Sequence, residues 1–517
     1  MSIVRFFDAG ARAHSSSVCL QGPAGDVWTY SEALSKTVRI ARGLIARGFS
    51  KGFHGAVLSG NKAEALIAIL GVCRAEGVWL PVNARNTWQT NAEFLKDMDC
   101  DVLFFESRWK EDVQRIRAQV TNIRLFVCLE ELDRELSLRG LMASQPDGFF
   151  TPDWDPEGTA MIMATGGTTG RSKGAMLTNR NFSNTFASHM SVFNIAQRMT
   201  MLVAAPISHT AGAISLPFLA RGARLVMMDG IEPQKLLQKI QDEKVNILFL
   251  PPTVIYVLLA QPNVREFDYS SLKYLLYGAA PMSPDKLVEA IEVFGPVMTQ
   301  MYGQSEVPGA ISALSADEHL VDGKPAPRAR LLSAGRPFPF VRVEILCDDD
   351  CIAFAPGVRG EIIVQGDTVM KGYYKNPDAT AQSRWGPWHR TGDIGELDEN
   401  GYLTIVDRKK DMIITGGFNV YSTEVEAALM SHTAVKDCAV IGIPDEKWGE
   451  AVKAIVELRP GAPVEADSLR EFARERLGGV KAPKSVEIVD SLPRSAAGKV
   501  LKKDLRRKYW TGLERSV

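Results

Sequence analysis

Apolar side chains recur at helical spacing near the start of the chain. After Thr29, positions three or four residues apart are apolar, namely Leu34, Val38, Ala41 and Leu44. This spacing places them on one face of a helix. Thr29 and Glu32 form a capping-box pattern, in which a hydroxyl and a carboxylate satisfy the free N–H groups at a helix start. Because Gly48 stands where a glycine commonly follows a helix, we predict a helix between Thr29 and Gly48.

Short apolar runs alternate with such helices as far as residue 340. Four of them lack helical periodicity, namely residues 202–205, 224–228, 246–250 and 273–277. We interpret these runs as buried strands. Ser283 and Pro284 then open a further helix, since proline is favoured in the first helical turn. Strands that alternate with helices predict an α/β fold with layered sheets.

The pattern changes near Arg342. Residues 341–346 and 360–364 are typical of strands close to turns, which predicts a β-rich subdomain at the end of the first domain. A charged run at 407–411 then interrupts the pattern. We therefore predict a large amino-terminal domain of residues 1–409 and a small α+β domain of residues 410–517.

The predicted small domain contains two helices and three strands. We expect its first helix to begin at Thr423 with Glu426 as the capping residue, and its second to lie near 468–477. A basic segment at 502–508 follows, and we interpret it as a solvated helix face.

Composition narrows the class of protein. The chain has 517 residues and a formal net charge of −1. A hydrophobic fraction of 45% and a charged fraction of 23% exclude an intrinsically disordered chain. Since there is no basic excess, we expect no nucleic-acid partner. The length predicts roughly two to four folding units.

The apolar segments are too short for a membrane span, which needs ~18 apolar residues. The longest segment, 247–260, is split by two prolines, and residues 1–20 lack the apolar centre of a secretory leader. Seven cysteines without CxxC spacing predict reduced, buried thiols, so we expect a cytoplasmic protein. Cys347 and Cys351 are four positions apart, but no His or Cys pair completes a ligand set with them.

A glycine-rich segment follows the apolar run 160–164. It reads Thr165-Gly-Gly-Thr-Thr-Gly-Arg-Ser-Lys-Gly174. Glycines let backbone N–H groups face outward in a tight loop, and Lys173 adds positive charge, so the loop suits a polyphosphate. It lacks the spacing of a Walker A loop. A flexible surface loop is the alternative interpretation.

Five further segments follow this loop, namely Tyr302-Gly-Gln-Ser-Glu306, Thr391-Gly-Asp393, Asp407-Arg408, Thr415-Gly-Gly417 and Pro493-Arg-Ser-Ala-Ala-Gly-Lys499. Their order resembles the adenylate-forming superfamily, which includes acyl-CoA synthetases, peptide-synthetase adenylation domains and firefly luciferase. Each segment alone is a weak signal, whereas the ordered set spans almost the whole chain. The resemblance implies a large amino-terminal domain and a small, mobile carboxyl-terminal domain.

The resemblance implies a set of residues that bind ATP and AMP. They are Thr165, Gly166, Gly167, Thr168, Thr169, Gly170, Lys173, Gly278, Ala279, Ala280, Tyr302, Gly303, Gln304, Ser305, Asp393 and Arg408. The loop at 165–173 would contact the phosphates, residues 278–280 and Tyr302 the adenine, and Asp393 with Arg408 the ribose.

The resemblance also implies residues for the chemistry. Lys499 would bridge the carboxylate of the acid and the α-phosphate, because two anions must meet there. Glu306 would hold Mg²⁺, a cation that prefers oxygen ligands, and His209 would shield the acyl pocket. Gly416 and Gly417 would let the pantetheine arm of CoA pass the backbone. Lys410 would be the hinge between the two domains.

Structural alternatives accompany these roles. Lys499 alone would be an exposed lysine and Glu306 a surface carboxylate. Asp393 would shape a turn, and Arg408 would be a solvated hinge charge. Tyr302 would be a core aromatic residue, since buried aromatics are common, and a lone histidine such as His209 is more often structural.

Several positions are compared with the family's usual pattern. Gly167 stands where the family often has serine or the equivalent glycine, Ser172 replaces a common proline, and Ser305 replaces threonine with the hydroxyl kept. Phe418 follows the glycine turn in place of a polar or acidic residue, and Ala497 replaces threonine before Gly-Lys499. The last two departures concern thiol delivery and lysine positioning rather than the class of reaction.

We therefore expect an AMP-forming ligase of fatty acid metabolism. With ATP, Mg²⁺ and CoA it would convert a fatty or aryl acid into an acyl-CoA in two steps. Residues 209–215, Gly278 and residues 301–309 would line the acyl pocket, and residues 209–215 include no acidic side chain that could hold an amino acid's ammonium group. The sequence determines neither the chain length of the acid nor whether the protein forms a homodimer.

Three rival functions remain at this point. An adenylating enzyme could load a carrier protein or release a free adenylate, although no carrier domain is expected after Val517. A non-catalytic nucleotide-binding protein is the second rival, and a luciferase-type oxygenase is the third. Lys499, Glu306 and Lys173 together argue against mere binding.

Overall fold

A computed structural model describes residues 2–153, 155–165, 173–195, 198–207, 210–494 and 500–510. The chain forms two compact units. The amino-terminal unit contains Met1–Val343 and Val364–His389, and the carboxyl-terminal unit contains Glu344–Ile363 and Arg390–Val517. The expected division at Lys410 stays a prediction.

Helices occur throughout the described chain. They are α1 Ile3–Ala13, α2 Tyr30–Ile45, α3 Ala63–Arg74, α4 Trp88–Asp97, α5 Lys110–Gln119, α6 Leu138–Met142, α7 Asn179–Val192, α8 Thr210–Leu219, α9 Pro233–Asp242, α10 Pro252–Leu259, α11 Pro284–Phe294, α12 Arg328–Leu332, α13 Pro377–Gln382, α14 Ser422–Met430, α15 Ala466–Lys481 and α16 Lys502–Arg507.

The first eighteen strands belong to the amino-terminal unit. They are β1 Val18–Gln21, β2 Val27–Thr29, β3 His54–Leu58, β4 Val78–Pro81, β5 Val102–Phe105, β6 Leu125–Cys128, β7 Leu136–Ser137, β8 Thr159–Thr165, β9 Lys173–Thr178, β10 Thr200–Val203, β11 Arg224–Met227, β12 Ile247–Leu250, β13 Tyr274–Gly278, β14 Met298–Gln304, β15 Val307–Leu314, β16 Leu320–Val321, β17 Lys324–Pro325 and β18 Arg336–Pro337.

Eleven further strands follow among the described residues, and the chain passes between the units within three of them, β19, β20 and β23. They are β19 Arg342–Leu346, β20 Gly360–Gln365, β21 Gly372–Tyr373, β22 Arg384–Trp385, β23 Trp388–Leu397, β24 Leu403–Arg408, β25 Ile413–Thr415, β26 Phe418–Val420, β27 Val435–Asp445, β28 Gly449–Leu458 and β29 Ser485–Val489.

Two large sheets build the amino-terminal unit. One has nine strands in the order β18-β15-β14-β13-β12-β10-β11-β1-β2, and the other has eight in the order β21-β9-β8-β4-β3-β5-β6-β7. Central neighbours such as β12–β13 and β3–β4 are parallel. Successive residues of β10 pack on opposite faces of the nine-stranded sheet. Met201 packs in the core between the two sheets, and Leu202 packs against α9 and α10. Strands that are covered on both faces account for the continuous apolar runs.

Five layers result from this packing. The core shared by the two sheets contains α1, α2, α3 and α8, while α9–α11 cover the far face of the nine-stranded sheet. Helices α4 and α5 cover the far face of the eight-stranded sheet. The predicted α/β fold with layered sheets is confirmed.

The carboxyl-terminal unit contains a smaller mixed sheet. Strands β26, β25, β28 and β27 are antiparallel neighbours, and β29 pairs with β28 in parallel. Residues of α14 and α15 pack on one face of this sheet, and Leu505 of α16 packs on the other. The predicted small α+β fold is present here.

Local predictions from the sequence have mixed outcomes. The capping box is confirmed, because the Thr29 side chain accepts from the N–H of Glu32 while Glu32 accepts from that of Thr29. The cap assigned to Glu426 is wrong. Helix α14 begins at Ser422, and Glu426 instead accepts from the N–H of Val440 at 2.7 Å.

Two of the seven cysteines contradict the expectation of buried thiols. All seven are free, and five are buried, but Cys347 is half-buried and Cys351 is exposed. Both lie on the turn after β19, where the chain reaches the surface. Among the described residues, no helix combines the length and the apolar character that crossing a membrane would require.

Candidate active site

The ends of the glycine-rich loop are held together by two antiparallel strands. Thr165 ends β8, Lys173 begins β9, and the two residues are register partners. Thr165 is buried, and the Lys173 ammonium lies 5.1 Å from the centre of the Tyr373 ring. Residues 166–172, including the predicted Gly166, Gly167, Thr168, Thr169 and Gly170, lie outside the described residues.

The predicted metal-binding segment lies beside this strand pair. The Ser305 hydroxyl donates to the carbonyl oxygen of Ala164 at 3.2 Å, one residue before Thr165. This contact brings two motifs that are separated by more than a hundred residues to the same strand end. The structure thus places Thr165 and Ser305 in one neighbourhood.

Glu306 is a buried carboxylate with a specific partner. It is 8% exposed, and the Tyr373 hydroxyl donates to its Oε1 at 2.7 Å. Burial, together with the nearby carboxylate, raises the pKa of Tyr373 well above its usual value, so the tyrosine stays protonated and donates. The surface-carboxylate alternative for Glu306 is therefore wrong.

The donor set of Glu306 fits a hard cation. A carboxylate offers about four lone-pair directions, and the bond from Tyr373 uses one of them. The remaining oxygen capacity suits Mg²⁺, which binds proteins through one or two carboxylates together with phosphate oxygens.

Gly278 ends β13, and residues 302–304 lie on the neighbouring parallel strand β14. Gly278 of β13 is the register partner of Met301 of β14. A Cβ atom at Gly278 would lie 2.4 Å from the Met301 carbonyl oxygen, so only glycine permits this approach. Ala279 follows in a left-handed conformation, with φ of +65°, which turns the backbone away from the sheet.

Tyr302, Gly303 and Gln304 continue β14. The Tyr302 side chain is 8% exposed. This burial agrees with the alternative interpretation of Tyr302 as a core aromatic residue. A Cβ atom at Gly303 would lie 2.4 Å from the backbone nitrogen of Gly309, since β14 and β15 approach closely there. The role of Tyr302 toward a base stays a prediction.

The carboxyl-terminal unit contains the two residues predicted to bind ribose. Asp393 of β23 and Arg408 of β24 are cross-strand partners, and Arg408 Nε lies 3.4 Å from Asp393 Oδ1. Asp393 is buried, whereas the Arg408 side chain is 46% exposed. The pair leaves a charged edge with carboxylate and guanidinium groups side by side.

The segment around Lys410 is held by side chains of α16 and α14. Arg506 donates to the Lys410 carbonyl oxygen at 3.2 Å and pairs with Asp411 at 2.7 Å. The Ser422 hydroxyl donates to Asp407 at 2.9 Å. Burial, and secondarily Arg408, lower the pKa of the Lys410 ammonium.

Lys502 forms the centre of a charge cluster with Glu426 and Asp407, in which Asp407 is buried and the other two residues are half-buried. Its ammonium lies 2.7 Å from Glu426 Oε1 and donates to the Ser422 hydroxyl at 2.6 Å. Burial alone would lower the pKa of Lys502, but Glu426, Asp407 and Asp411 raise it above its usual value. The interpretation of 502–508 as a solvated face is wrong for Lys502, which contacts Ser422 and Glu426, and for Arg506, which contacts Lys410 and Asp411.

The predicted CoA-binding glycines form a left-handed turn between β25 and β26. Gly416 and Gly417 have φ of +58° and +80°. The Gly416 N–H donates to the Trp448 carbonyl oxygen at 2.8 Å, and a Cβ atom at Gly416 would lie 2.6 Å from the Trp448 ring. Phe418, which departs from the family pattern, is 59% exposed beside this turn.

The described residues bring the predicted site together in part. Thr165, Lys173, 278–280 and 302–306 belong to the amino-terminal unit, whereas the carboxyl-terminal unit holds Asp393, Arg408, Lys410, Gly416 and Gly417. His209 and Lys499 lie outside the described residues.

Sequence reasoning missed three supporting residues. Tyr373 is 67 positions from Glu306, and neither residue forms a local pattern with the other. The pairing of Glu426 with Lys502 and the contact of the buried His189 were equally undetected. His189 contacts the Gly309 carbonyl oxygen at 3.0 Å, and burial lowers its pKa to about 4, so its neutral ring donates from Nε2 beside the predicted acyl lining.

Comparison with known proteins gives two family matches. The model of the AMP-binding enzyme family matches residues 7–374, and that of the AMP-binding enzyme C-terminal domain matches residues 424–499. These matches confirm the resemblance inferred from the ordered motifs.

Individual relatives include ligases with different acids in their names. The medium/long-chain-fatty-acid–CoA ligase FadD8 of Mycobacterium tuberculosis is 37% identical over 380 residues, which cover 72% of this chain and 65% of FadD8. A feruloyl-CoA synthase of Amycolatopsis sp is 34% identical over 94% of each chain. The solved structure of the amide bond synthetase McbA from Marinactinospora thermotolerans has a TM-score of 0.87 at 30% identity, covering 98% of this chain and 100% of that chain.

The charge cluster around Lys502 predicts a destabilising effect of one substitution. In Lys502→Met, the half-buried Glu426 loses its cation, and leaving such a group unpaired typically destabilises a protein by about 1–3 kcal/mol. Hydrogen–deuterium exchange of peptides from 413–458 should report a lower unfolding free energy of this unit by that amount. The neighbouring Lys503→Met is the matched control, because Lys503 is exposed, and it should change stability by less than about 0.5 kcal/mol. Equal exchange in the two variants would contradict the role assigned to the cluster.

Proposed function

This chain belongs to the AMP-binding enzyme family and is an acyl-CoA ligase, and from this premise we propose that it activates a fatty or aryl carboxylic acid in two steps through an acyl-adenylate. The observation that supports this most is the placement of Glu306. A buried carboxylate lies beside the strand end that begins the glycine-rich loop, as binding of a magnesium nucleotide requires.

In the first step, a carboxylate oxygen of the acid attacks the α-phosphorus of ATP. The bond between the α-phosphorus and the bridging oxygen breaks, and pyrophosphate leaves with the electron pair. Backbone N–H groups of the glycine-rich segment and Lys173 would hold the β- and γ-phosphates, and Glu306 would hold Mg²⁺, whose charge would stabilise the phosphate oxygens. Lys499 would hold the attacking carboxylate and the α-phosphate in line.

Asp393 and Arg408 would bind the ribose. The Asp393 carboxylate accepts hydrogen bonds from the two ribose hydroxyls, and Arg408 fixes the carboxylate through their contact. Gly278, Ala279 and Ala280 would let the flat adenine lie against the backbone, with Tyr302 on its other side. These roles follow the sequence motifs, and the geometry of each unit supports them.

In the second step, the thiol of CoA attacks the carbonyl carbon of the adenylate. The carbon–oxygen bond to the phosphate breaks, AMP leaves, and the thiol proton passes to solvent. Gly416 and Gly417 would let the pantetheine arm approach the backbone, since both adopt φ values that favour glycine.

A rotation about Lys410 would exchange the groups needed for the two steps. Two hydrogen bonds join residues before Lys410 to residues after it. The Thr423 hydroxyl donates to the Val406 carbonyl oxygen, and the Ser422 hydroxyl donates to the Asp407 carboxylate. Asp411 moves with α16 through Arg506. Rotation would therefore release the Val406 and Asp407 contacts while keeping that of Asp411, which makes 408–410 the flexible stretch.

An apolar tail suits the acid best. Residues 209–215, Gly278 and 301–309 include small and apolar side chains and no acidic residue in the first segment. The relatives named for fatty acids and for ferulate support the same two classes of acid. Seven free cysteines together with ATP and CoA as substrates support a reducing, cytoplasmic environment.

A panel of acids tests the proposed function. Short, medium and long aliphatic acids and hydroxylated aryl acids are incubated with ATP, Mg²⁺ and CoA, and AMP, pyrophosphate and acyl-CoA are measured. We expect at least one apolar acid to give the three products in equal amounts. Formation of ADP in place of AMP would contradict the proposal. Release of AMP that requires an amine acceptor and does not occur with CoA would also contradict it.

The two steps should separate in Lys499→Ala. Adenylation, measured as acid-dependent exchange of labelled pyrophosphate into ATP, should fall by roughly 10²–10³, as for loss of one preorganised electrostatic contact. Thioester formation from a supplied acyl-adenylate should be largely retained. Lys503→Ala is the control for a nearby exposed lysine and should leave both steps unchanged. An equal loss in both steps would contradict the role of Lys499.

A further inference from the structure

A hairpin turn of the carboxyl-terminal unit brings two thiols together at the surface. The turn contains Cys347-Asp-Asp-Asp-Cys351 and follows β19. The Cys347 N–H donates to the Cys351 carbonyl oxygen at 2.9 Å, and Leu346 and Ile352 form an antiparallel bridge behind it. Asp350 adopts φ of +56°, which closes the turn. Both cysteines are therefore fixed at the two ends of one short hairpin.

The side chains of this turn converge. Residues that face each other across an antiparallel pair point to the same side, which places the two thiols on one face. The sulfur atoms of Cys347 and Cys351 and a carboxylate oxygen of Asp349 all lie within 4.8 Å of one another. Cys351 Sγ is 3.0 Å from Asp349 Oδ1. Asp349 and Cys351 are exposed and Cys347 is half-buried, so an ion can reach all three.

We propose that this hairpin is a Zn²⁺ site with Cys347, Cys351 and Asp349 as protein ligands. Two thiolates and a carboxylate are ligands that zinc prefers, at about 2.3 Å for sulfur and 2.0–2.2 Å for oxygen. A tetrahedral ion with such bonds separates two sulfur ligands by about 3.8 Å and a sulfur from an oxygen ligand by about 3.6 Å. The two sulfur atoms would therefore approach by at most about 1 Å, and Cys351 Sγ and Asp349 Oδ1 would move apart by about 0.6 Å. Exposed side chains on a turn permit this adjustment by rotation. Water occupies the fourth position.

The ligand chemistry separates this site from that of Glu306. Thiolates select zinc and other soft cations, whereas Mg²⁺ requires oxygen ligands. Asp349 is neither histidine nor cysteine, so the spacing of His and Cys residues in the sequence does not reveal it as a metal ligand. The backbone of the hairpin holds the carboxylate beside the thiols, and this arrangement supplies the third ligand.

Cadmium provides a direct probe, because thiolate coordination to Cd²⁺ produces an ultraviolet charge-transfer band. The full chain is reduced, freed of metal and titrated with Cd²⁺ without ATP, and Zn²⁺ is then added in competition. We expect a band that saturates at one ion per chain and is displaced by Zn²⁺. Cys347→Ser/Cys351→Ser should abolish the band and weaken Zn²⁺ binding more than about 100-fold, since even outer-shell partners are typically worth 10–100-fold.

Two single variants test the carboxylate. Asp349→Asn should weaken Zn²⁺ binding by about 10-fold with the charge-transfer band retained. Asp322→Asn is the matched control, because it removes one exposed aspartate from another turn, where φ is +51° and asparagine is well tolerated. It should bind Zn²⁺ as the wild type does. Equal affinities of Asp349→Asn and Asp322→Asn would overturn the assignment of Asp349.

Alkylation gives a second measurement that does not depend on the variants folding. Iodoacetamide modification of Cys351 in the wild-type chain is followed by peptide mass spectrometry with and without one equivalent of Zn²⁺. We expect Zn²⁺ to slow modification of Cys351 at least about 10-fold. An unchanged rate, or a Cd²⁺ band that persists in the double serine variant, would overturn the proposal. Recovery of the reduced chain as a Cys347–Cys351 disulfide despite added Zn²⁺ would also overturn it.

Discussion

A buried charge needs a partner that replaces water, and this constraint shapes both units of the protein. Glu306 is held by the Tyr373 hydroxyl, and Lys502 is held by Glu426 and Ser422. Removing one partner from such a pair leaves an uncompensated charge, which costs several kcal/mol. Because the partners come from distant parts of the chain, each pair also determines which segments lie together.

The proposed reaction presents the same constraint in another form. A carboxylate and a triphosphate repel each other, so the protein must supply positive groups where water is excluded. Lys173, at the end of the glycine-rich loop, and Glu306, which would hold Mg²⁺, belong to the amino-terminal unit. Arg408 belongs to the carboxyl-terminal unit. Lys499 would complete the set. The buried hydrogen bond from Tyr373 keeps Glu306 oriented, since burial raises the pKa of Tyr373 and its protonated hydroxyl donates to the carboxylate.

Local patterns in the sequence predict most of the fold. The Thr29 capping box, the apolar strands and the proline-initiated helix after Ser283 depend on neighbouring residues, and the structure contains all of them. Contacts between distant residues were not predictable in this way. Glu426 matched a local capping pattern, but its carboxylate binds the far Lys502, because burying that lysine requires an anion. Likewise, the exposure of Cys351 depends on where the β19 hairpin reaches the surface.

In the proposed reaction the acid's own oxygen attacks the α-phosphorus, and the transfer of an oxygen isotope measures this attack directly. An acid that the enzyme accepts is labelled with ¹⁸O in its carboxylate and converted in the presence of ATP, Mg²⁺ and CoA. Mass spectrometry of the products should find one ¹⁸O atom in the phosphate of AMP and none in pyrophosphate. Label in pyrophosphate or in free phosphate, or AMP without label, would contradict the acyl-adenylate account.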